Sequence, residues 1–192
     1  MGSVIVITSG KGGTGKTSLT GGVGASLALL GKQVLCLDGD VGLRNLDITL
    51  GMTDAALMDF SDVMAGRCDL SRAAVPHPTV SGLHLLTAPL TLPGDFPGEA
   101  GFQALLQQAR EAYDYVLIDS PAGLGPGFRL AVCGADRAIV VAVSDPSSLR
   151  DAQRVVTQLS QLETIHLVVN RVRPRLLRRQ NTTIDDAMDT AG

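Results

Sequence analysis

The chain has 192 residues with a formal net charge of −3, and 45% of its residues are hydrophobic. These values fit a single compact domain over residues 1–192 and exclude a general electrostatic attraction to nucleic acid or anionic lipid. The three cysteines, Cys36, Cys68 and Cys133, have the spacing of neither a disulfide framework nor a zinc site. We therefore expect reduced, packed thiols in a cytoplasmic protein.

Taken in chain order, short apolar runs alternate with segments of helical spacing. The runs predict strands at residues 4–7, 34–38, 83–88, 115–119, 138–143 and 165–170. The segments between them predict helices at residues 16–30, 56–65, 99–112, 127–133 and 147–162. Most of the runs are continuously apolar, as in strands that are buried on both faces. The alternation predicts an α/β fold with an open, mostly parallel sheet and helices on both faces.

The first predicted strand is followed by GKGGTGKT at residues 10–17, which matches the phosphate-binding pattern G-x-x-x-x-G-K-[ST]. The backbone N–H groups of such a loop can surround phosphate oxygens at the positive end of the next helix. Lys16 would neutralise phosphate charge, and the hydroxyl of Thr17 would bind Mg²⁺. A glycine loop that only turns the chain is the alternative, and the strand before it and helix after it favour phosphate binding.

Carboxylates follow two other predicted strands. Asp119 closes the strand at residues 115–119, and Asp38 closes the strand at residues 34–38, with Asp40 two residues later. An aspartate at a strand end is often only a helix cap or a turn residue, and loop acids are often simply solvated. Together with the phosphate-binding loop, Asp119 is instead expected to act in a magnesium site.

The lysine at position 11 is not explained by an ordinary phosphate-binding loop. The segment KGGTGKTS at residues 11–18 resembles the deviant Walker A motif KGGxGKT[ST] of the ParA/MinD family of P-loop ATPases, with Ser18 where threonine is commoner. DGDVGLRNLDITLG at 38–51 and DSPAGLGPG at 119–127 resemble the branch of that family that places the division septum. The likeness covers residue 4 to about residue 171.

The resemblance implies a role for each matching residue. Lys11 would reach across a nucleotide-sandwich dimer to the phosphates of the partner's ATP, so that catalysis depends on Lys11, Lys16 and Asp40. Asp40 would position the attacking water, and Asn170 would contact adenine. Magnesium would be held near Thr17, Asp38 and Asp119. The expected ATP-binding residues of the loop are Lys11, Gly12, Gly13, Thr14, Gly15, Lys16, Thr17 and Ser18.

The resemblance also implies a function. We expect an enzyme that uses Mg²⁺ and hydrolyses ATP to ADP and phosphate, and whose ATP-bound homodimer acts as a switch in cell-division septum placement. The partners implied are a division inhibitor and a topological activator that stimulates hydrolysis. Members of the family associate peripherally with the inner membrane through a C-terminal amphipathic helix.

The last residues, NTTIDDAMDTAG, predict a helix that begins at an N-cap such as Thr182 or Thr183. Members of the family continue with another strand, a segment of the adenine pocket and the membrane-targeting helix. We therefore expect either a C-terminally truncated P-loop ATPase domain or a naturally short relative. Membrane binding through the usual helix is expected only if that helix is restored.

Two other functions compete with this interpretation. A ParA-like partition ATPase that binds DNA without sequence specificity is supported locally only by five arginines, Arg171, Arg173, Arg175, Arg178 and Arg179. A solvated surface loop is the plainer interpretation of this run, and we do not expect nucleic-acid binding. An iron–sulfur relative would need two suitably placed cysteines in each chain, whereas Cys133 has a context unlike that of Cys68.

Overall fold

The computed structural model describes residues 1–174 and 183–191. Within these residues, seven strands form one sheet: β1 (Ser3–Thr8), β2 (Val34–Asp38), β3 (Val75–Pro76), β4 (Leu83–Leu86), β5 (Tyr115–Asp119), β6 (Arg137–Val143) and β7 (Thr164–Asn170). Their order in the sheet is β3-β4-β2-β5-β1-β6-β7. All neighbouring pairs are parallel except β3 and β4. The predicted open, mostly parallel sheet is confirmed.

Helices cover both faces of this sheet. They are α1 (Lys16–Leu29), α2 (Leu46–Thr49), α3 (Phe60–Met64), α4 (Leu70–Ala73), α5 (Gly98–Ala112), α6 (Pro126–Val132), α7 (Pro146–Gln158) and α8 (Ile184–Ala191). Side chains of β1 alternate between the two faces: Val4 and Val6 belong to one core cluster, while Ile5 and Ile7 belong to the other. The first cluster also contains residues of α3 to α7, and the second contains residues of α1 and α2.

Some element boundaries differ from the sequence prediction. The helix expected at residues 56–65 is only α3, because Asp59 caps its first turn: its side chain accepts a hydrogen bond from the N–H of Ser61. The structure adds the one-turn helices α2 and α4 and the two-residue strand β3, which are too short for a periodic pattern. The helix expected at residues 147–162 is α7, which begins at Pro146 behind the capping side chain of Asp145 and ends at Gln158.

The predicted C-terminal helix is present as α8. The N–H of Asp186 donates to the hydroxyl of Thr183 at 3.1 Å, and the hydroxyl of Thr183 donates to the carboxylate of Asp186 at 2.9 Å. This arrangement identifies Thr183 as the cap. The alternative cap, Thr182, lies outside the described residues, as do Arg175, Arg178 and Arg179 of the arginine run. The other two arginines of that run are exposed.

The cysteines differ in burial and are all free thiols. Cys36 is buried under α1, where a Cβ at Gly24 would collide with its sulfur, so this glycine permits the close approach of α1 to β2. Cys68 and Cys133 are only partly buried, and burial raises the pKa of the Cys133 thiol to about 11. Over the described ranges, no helix combines the length and the apolar character needed to cross a bilayer.

Candidate functional site

The loop at residues 9–15 joins the carboxyl end of β1 to the start of α1. Gly13 and Gly15 have φ angles of 75° and 99°, in the left-handed region that favours glycine. A Cβ at Gly12 or Gly13 would meet no described atom within 4 Å. The outer side of this loop is therefore open, with room for a ligand beside the backbone.

The first turn of α1 offers its N–H groups to that open space. Gly15 is the N-cap residue, and among the described residues no side chain caps this end of the helix and no acidic side chain lies in its first turn. Unsatisfied N–H groups and the helix dipole favour an anion at such a position. The backbone of this loop is compatible with phosphate binding, which stays a prediction.

Lys16 is buried at the base of the loop, with 8% of its surface exposed. Burial lowers the pKa of its ammonium group, while the nearby carboxylates of Asp119 and Asp40 act in the opposite direction. Asp40 is half-buried, and burial raises its pKa while Lys16 lowers it. The structure therefore brings together three residues that are separated by up to about one hundred positions in the chain.

Asp119 lies at the centre of this group because β5 pairs with both β1 and β2. It is the register partner of Ile7 on one side and of Asp38 on the other. Burial raises the pKa of Asp119 to about 6; the Thr17 hydroxyl and Lys16 lower it, whereas Asp38 and Asp40 raise it.

Thr20 is a contact that the sequence analysis missed. Its hydroxyl lies 3.4 Å from Oδ1 of Asp119 and 3.0 Å from the carbonyl oxygen of Lys16. The sequence could have indicated that Thr20 lies near the site, because Thr20 follows Lys16 by four residues and therefore lies on the same face of α1. Thr20 ties the start of α1 to the end of β5.

Asp38 shapes the loop that carries Asp40. Its Oδ1 accepts a hydrogen bond from the N–H of Asp40 at 2.9 Å, and its Oδ2 accepts one from the N–H of Leu46 at 3.1 Å. Burial raises the pKa of Asp38, and these two backbone donors act against that rise. The carboxylate therefore fixes both ends of the loop between β2 and α2, and the spacing of acids in the sequence did not predict this structural role.

Two of the residues predicted to bind magnesium, Thr17 and Asp38, lie next to the third, Asp119. Thr17, Asp38 and Asp119 offer oxygen donors, which Mg²⁺ prefers, and the mutual repulsion of the carboxylates would be relieved by a divalent cation. In the described part of the chain, no group of three or more His, Cys, Asp or Glu side chains could hold a metal by itself. The donor set therefore fits a cation that is shared with phosphate oxygens, although the individual ligands stay predictions.

Lys11 lies on the other side of the loop, against the start of α7. Its Nζ is 3.2 Å from the hydroxyl of Ser147 and 3.8 Å from Oδ1 of Asp145. The hydroxyl of Ser147 donates to the same carboxylate at 2.6 Å. This bond, followed by smaller effects that include the charge of Lys11, lowers the pKa of Asp145. Nothing in the sequence linked residues 11 and 147.

Asn170 and the remaining predicted residues complete the site. Asn170 ends β7 and donates a hydrogen bond to the carbonyl oxygen of Thr14 at 2.8 Å. A cavity of about 360 Å³ lies next to this contact, lined by Lys11, Gly12, Gly13, Thr14, Val143, Ser144, Asp145, Arg171 and Arg173. Ser18 is exposed in the first turn of α1. The structure thus gathers the predicted residues around one loop, and their individual roles stay predictions.

Comparison with known proteins places this architecture among ATPases. A family model described as an AAA domain matches residues 2–175. The septum site-determining protein MinD of Bacillus subtilis (strain 168) is 42% identical over 186 residues, covering 95% of this chain and 69% of that protein. The MinD of Synechocystis sp. is 41% identical over 192 residues, covering 98% of this chain and 72% of that protein.

Solved structures agree with these sequence matches. MinD in the MinC:MinD cell division protein complex of Aquifex aeolicus is 39% identical with a TM-score of 0.88, and the match covers 97% of this chain and 76% of that one. The septum site-determining protein MinD of Pyrococcus horikoshii, solved as a complex with Mg-ADP, is 28% identical with a TM-score of 0.83. That match covers 99% of this chain and 77% of that one.

Proposed function

This chain belongs to the MinD family of P-loop ATPases, and we propose that it acts as a single-domain switch that dimerises when ATP is bound. The observation that carries the proposal is the convergence of Lys16, Asp40 and Asp119 beneath an open glycine loop. Hydrolysis of ATP to ADP and phosphate would return the switch to its monomeric state. The process it serves is placement of the division septum, in which its MinD relatives act.

The cofactors of the family are ATP and Mg²⁺, and this site fits both. The open loop and the uncapped start of α1 suit the phosphate groups, and the residues proposed to hold magnesium are Thr17, Asp38 and Asp119. Bound magnesium would offset charge on the phosphate oxygens. Lys16, fixed by burial and by its carboxylate neighbours, would supply a second positive charge to the same oxygens.

Asp40 is proposed to position the attacking water. It is half-buried on a loop whose shape is set by the two backbone hydrogen bonds of Asp38. Burial raises the pKa of Asp40, and the nearby charge of Lys16 opposes that shift. The hydrogen bonds of Asp38 hold the loop that carries Asp40. Such a held position suits a residue that must keep a water in line with the phosphate.

Lys11 is proposed to act on the nucleotide of a second copy of the chain. Its side chain is 49% exposed, and its present partners, Ser147 and Asp145, also lie at the surface. A positive charge supplied in trans at the transferring phosphate would make hydrolysis depend on dimerisation. The exposed contact to α7 can be exchanged for such a contact at small cost, since surface ion pairs contribute only about 0–1 kcal/mol.

The partners follow from relatives. Because the Aquifex MinD was solved in a complex with MinC, we propose a MinC-like division inhibitor as a partner of this chain. Three further proposals rest on family membership. They are a topological activator as a second partner, a cytoplasmic location for this chain, and peripheral association with the membrane for longer members of the family. The relatives at 37–42% identity are MinD proteins, so they do not favour the DNA-partition alternative.

Light scattering tests the switch directly. The mass of the purified chain is compared with Mg-ATP and with Mg-ADP, alongside a phosphate-release assay. We expect dimers with Mg-ATP, monomers with Mg-ADP, and slow release of phosphate. Phosphate release from a chain that stays monomeric with Mg-ATP would support the ATPase and contradict the dimeric switch.

A further inference from the structure

A cavity of about 430 Å³ lies beside Asp40, and we call it the Asp40 cavity. Three segments form its walls: residues 39–41 of the loop after β2, residues 92–99 before and at the start of α5, and residues 121–130 from the end of β5 into α6. The residues of the phosphate-binding loop do not line it. It is therefore a separate space, and Asp40 is the residue that it shares with the proposed catalytic site.

Most of the side chains that line the Asp40 cavity are apolar. Phe128 and Leu130 belong to the buried residues of the larger core cluster, and Phe96 packs against that cluster. Leu92 is 47% exposed and lies at the solvent side of the lining. Small-molecule sites are typically concave and mostly apolar, with a few polar groups that orient the ligand. The Asp40 cavity has this composition.

The charged lining of the cavity has one sign. Among the described residues that line it, the ionisable side chains are those of Asp40 and Glu99, and no basic side chain offsets them. Glu99 is exposed in the first turn of α5, and Asp40 is half-buried. Such a site attracts a cation and repels a carboxylate or a phosphate. Aromatic walls, here Phe96 and Phe128, add to the attraction for a cation.

The walls are held by contacts within the chain. The N–H of Gly123 donates to the carbonyl oxygen of Ser9 at 3.0 Å, which fixes the loop after β5 against the end of the loop that follows β1. On the opposite wall, the ring of Phe96 lies 6.4 Å from the ring of Phe60. The cavity is thus formed before any ligand enters, and a ligand need not order its walls.

We propose that the Asp40 cavity binds a small organic cation, in which an apolar or aromatic body carries an ammonium group, and that the bound cation slows ATP hydrolysis. The apolar body would contact Phe96 and Phe128, and the ammonium group would pair with Glu99 and Asp40. A cation paired with Asp40 competes for the carboxylate that is proposed to position the attacking water. This effect on hydrolysis rests on the function proposed above, whereas binding of the cation does not.

Three matched compounds test the chemical class of the ligand. The probe is 2-phenylethylammonium, 2-phenylethanol lacks its charge, and 3-phenylpropionate reverses that charge. Binding to the protein without nucleotide is measured by calorimetry. We expect the ammonium compound to bind about tenfold more tightly than the alcohol, and the carboxylate to bind more weakly than both. Equal affinity for all three would overturn the preference for a cation, and no binding of the ammonium compound at about 10 mM would overturn the site.

Paired variants locate the bound compound. Gly125 lines the cavity and a Cβ there would meet no described atom within 4 Å, so Gly125→Leu should narrow the cavity; Gly94 has the same open space but does not line it. Glu99→Gln removes a charge at the cavity, and Glu111→Gln removes an exposed charge further along α5. We expect both cavity variants to weaken binding on the order of tenfold, and Gly94→Leu and Glu111→Gln to bind normally. Wild-type affinity in both cavity variants overturns the proposal.

Phosphate release from Mg-ATP tests the effect on hydrolysis. A saturating concentration of 2-phenylethylammonium should lower the turnover of the wild type by about tenfold, with ATP affinity unchanged. Unchanged turnover would overturn this half of the proposal, and a fall in ATP affinity would place the compound in the nucleotide site instead. A wild type without ATPase activity would contradict the proposed function and the effect on hydrolysis together. Binding to the cavity would still be decided by calorimetry, because that experiment uses no nucleotide.

Discussion

The two lysines of the glycine loop lie five positions apart, and their surroundings differ. On the α1 side, Lys16 is only 8% exposed and has the carboxylates of Asp119 and Asp40 near it. On the α7 side, the side chain of Lys11 is 49% exposed, and its ionic partner Asp145 is 44% exposed. The same loop therefore carries a buried positive charge, on Lys16, and a solvent-accessible one, on Lys11.

The difference separates two tasks. Removing one member of a buried charge cluster costs about 3–5 kcal/mol, whereas an exposed ion pair contributes about 0–1 kcal/mol. Lys16 is thus part of the folded framework and is ready to bind the phosphates of its own nucleotide. Lys11 can leave Asp145 with little loss of stability, as a residue that serves a second chain must do.

The largest effect is expected from Lys16→Ala. The variant loses the charge beside the phosphates, so ATP affinity should fall by at least about 100-fold in calorimetry. Lys32→Ala, which removes an exposed lysine in the turn after α1, is the matched control and should leave affinity unchanged. An Lys16 variant with normal ATP affinity would remove the distinction between the two sides of the loop.

Asp40→Ala tests chemistry separately from binding. We expect ATP affinity close to the wild-type value and a fall in turnover of about 100-fold, the lower range for loss of a group that handles a proton or positions a water. Phosphate release at saturating Mg-ATP measures the turnover. Glu111→Ala, an exposed acid on α5, should show wild-type turnover. Wild-type turnover in the Asp40 variant itself would rule out the proposed role.

The α1 side of the site was the more predictable from sequence. Its residues follow local sequence patterns: a glycine loop comes after one apolar strand, and an aspartate ends each of two others. The carboxyl ends of parallel strands lie at the same edge of a sheet, so these residues are expected to meet there. The register of β2 with β5 then places Asp38 beside Asp119. The architecture needed only these patterns and the right-handed crossovers between strands.

The α7 side could not be read in the same way. Ser147 contacts Lys11 across 136 positions, and Asn170 contacts Thr14 across 156. Such contacts depend on side-chain direction and on the order of strands in the sheet. Neither of these produces a periodic pattern in the amino-acid sequence. The short elements α2, α4 and β3 were missed for a related reason, because tertiary packing rather than a repeating pattern stabilises them.

Lys11→Ala should affect assembly more than binding. Because its ion pair with Asp145 is exposed, we expect the free energy of unfolding to change by less than about 1 kcal/mol. ATP affinity of the monomer should be nearly retained, whereas the dimer formed with Mg-ATP should be lost in analytical ultracentrifugation. Ser147→Ala removes one partner of the lysine and keeps the lysine itself, so it should preserve the dimer. A normal dimer of the Lys11 variant would contradict action in trans.

The smallest effects are expected from two glycines of α1, which test why the Lys16 side is rigid. A Cβ at Gly24 would collide with the buried sulfur of Cys36, whereas a Cβ at Gly22 would meet no described atom within 4 Å. Gly22→Ala should therefore stabilise the protein by about 0.5–1 kcal/mol through helix propensity. Gly24→Ala gains the same propensity but forces α1 away from β2, so a net loss of about 1 kcal/mol is expected.

Urea denaturation of both glycine variants measures this difference, and ATP affinity shows whether it reaches the site. Displacement of α1 at Gly24 should weaken ATP binding, since Lys16 and Thr17 lie on the first turn of that helix. Gly22→Ala should bind ATP normally. Equal stabilisation by the two alanines would mean that contact between α1 and β2 does not hold Lys16 in place. The fixed character of this lysine would then depend on its carboxylate neighbours alone.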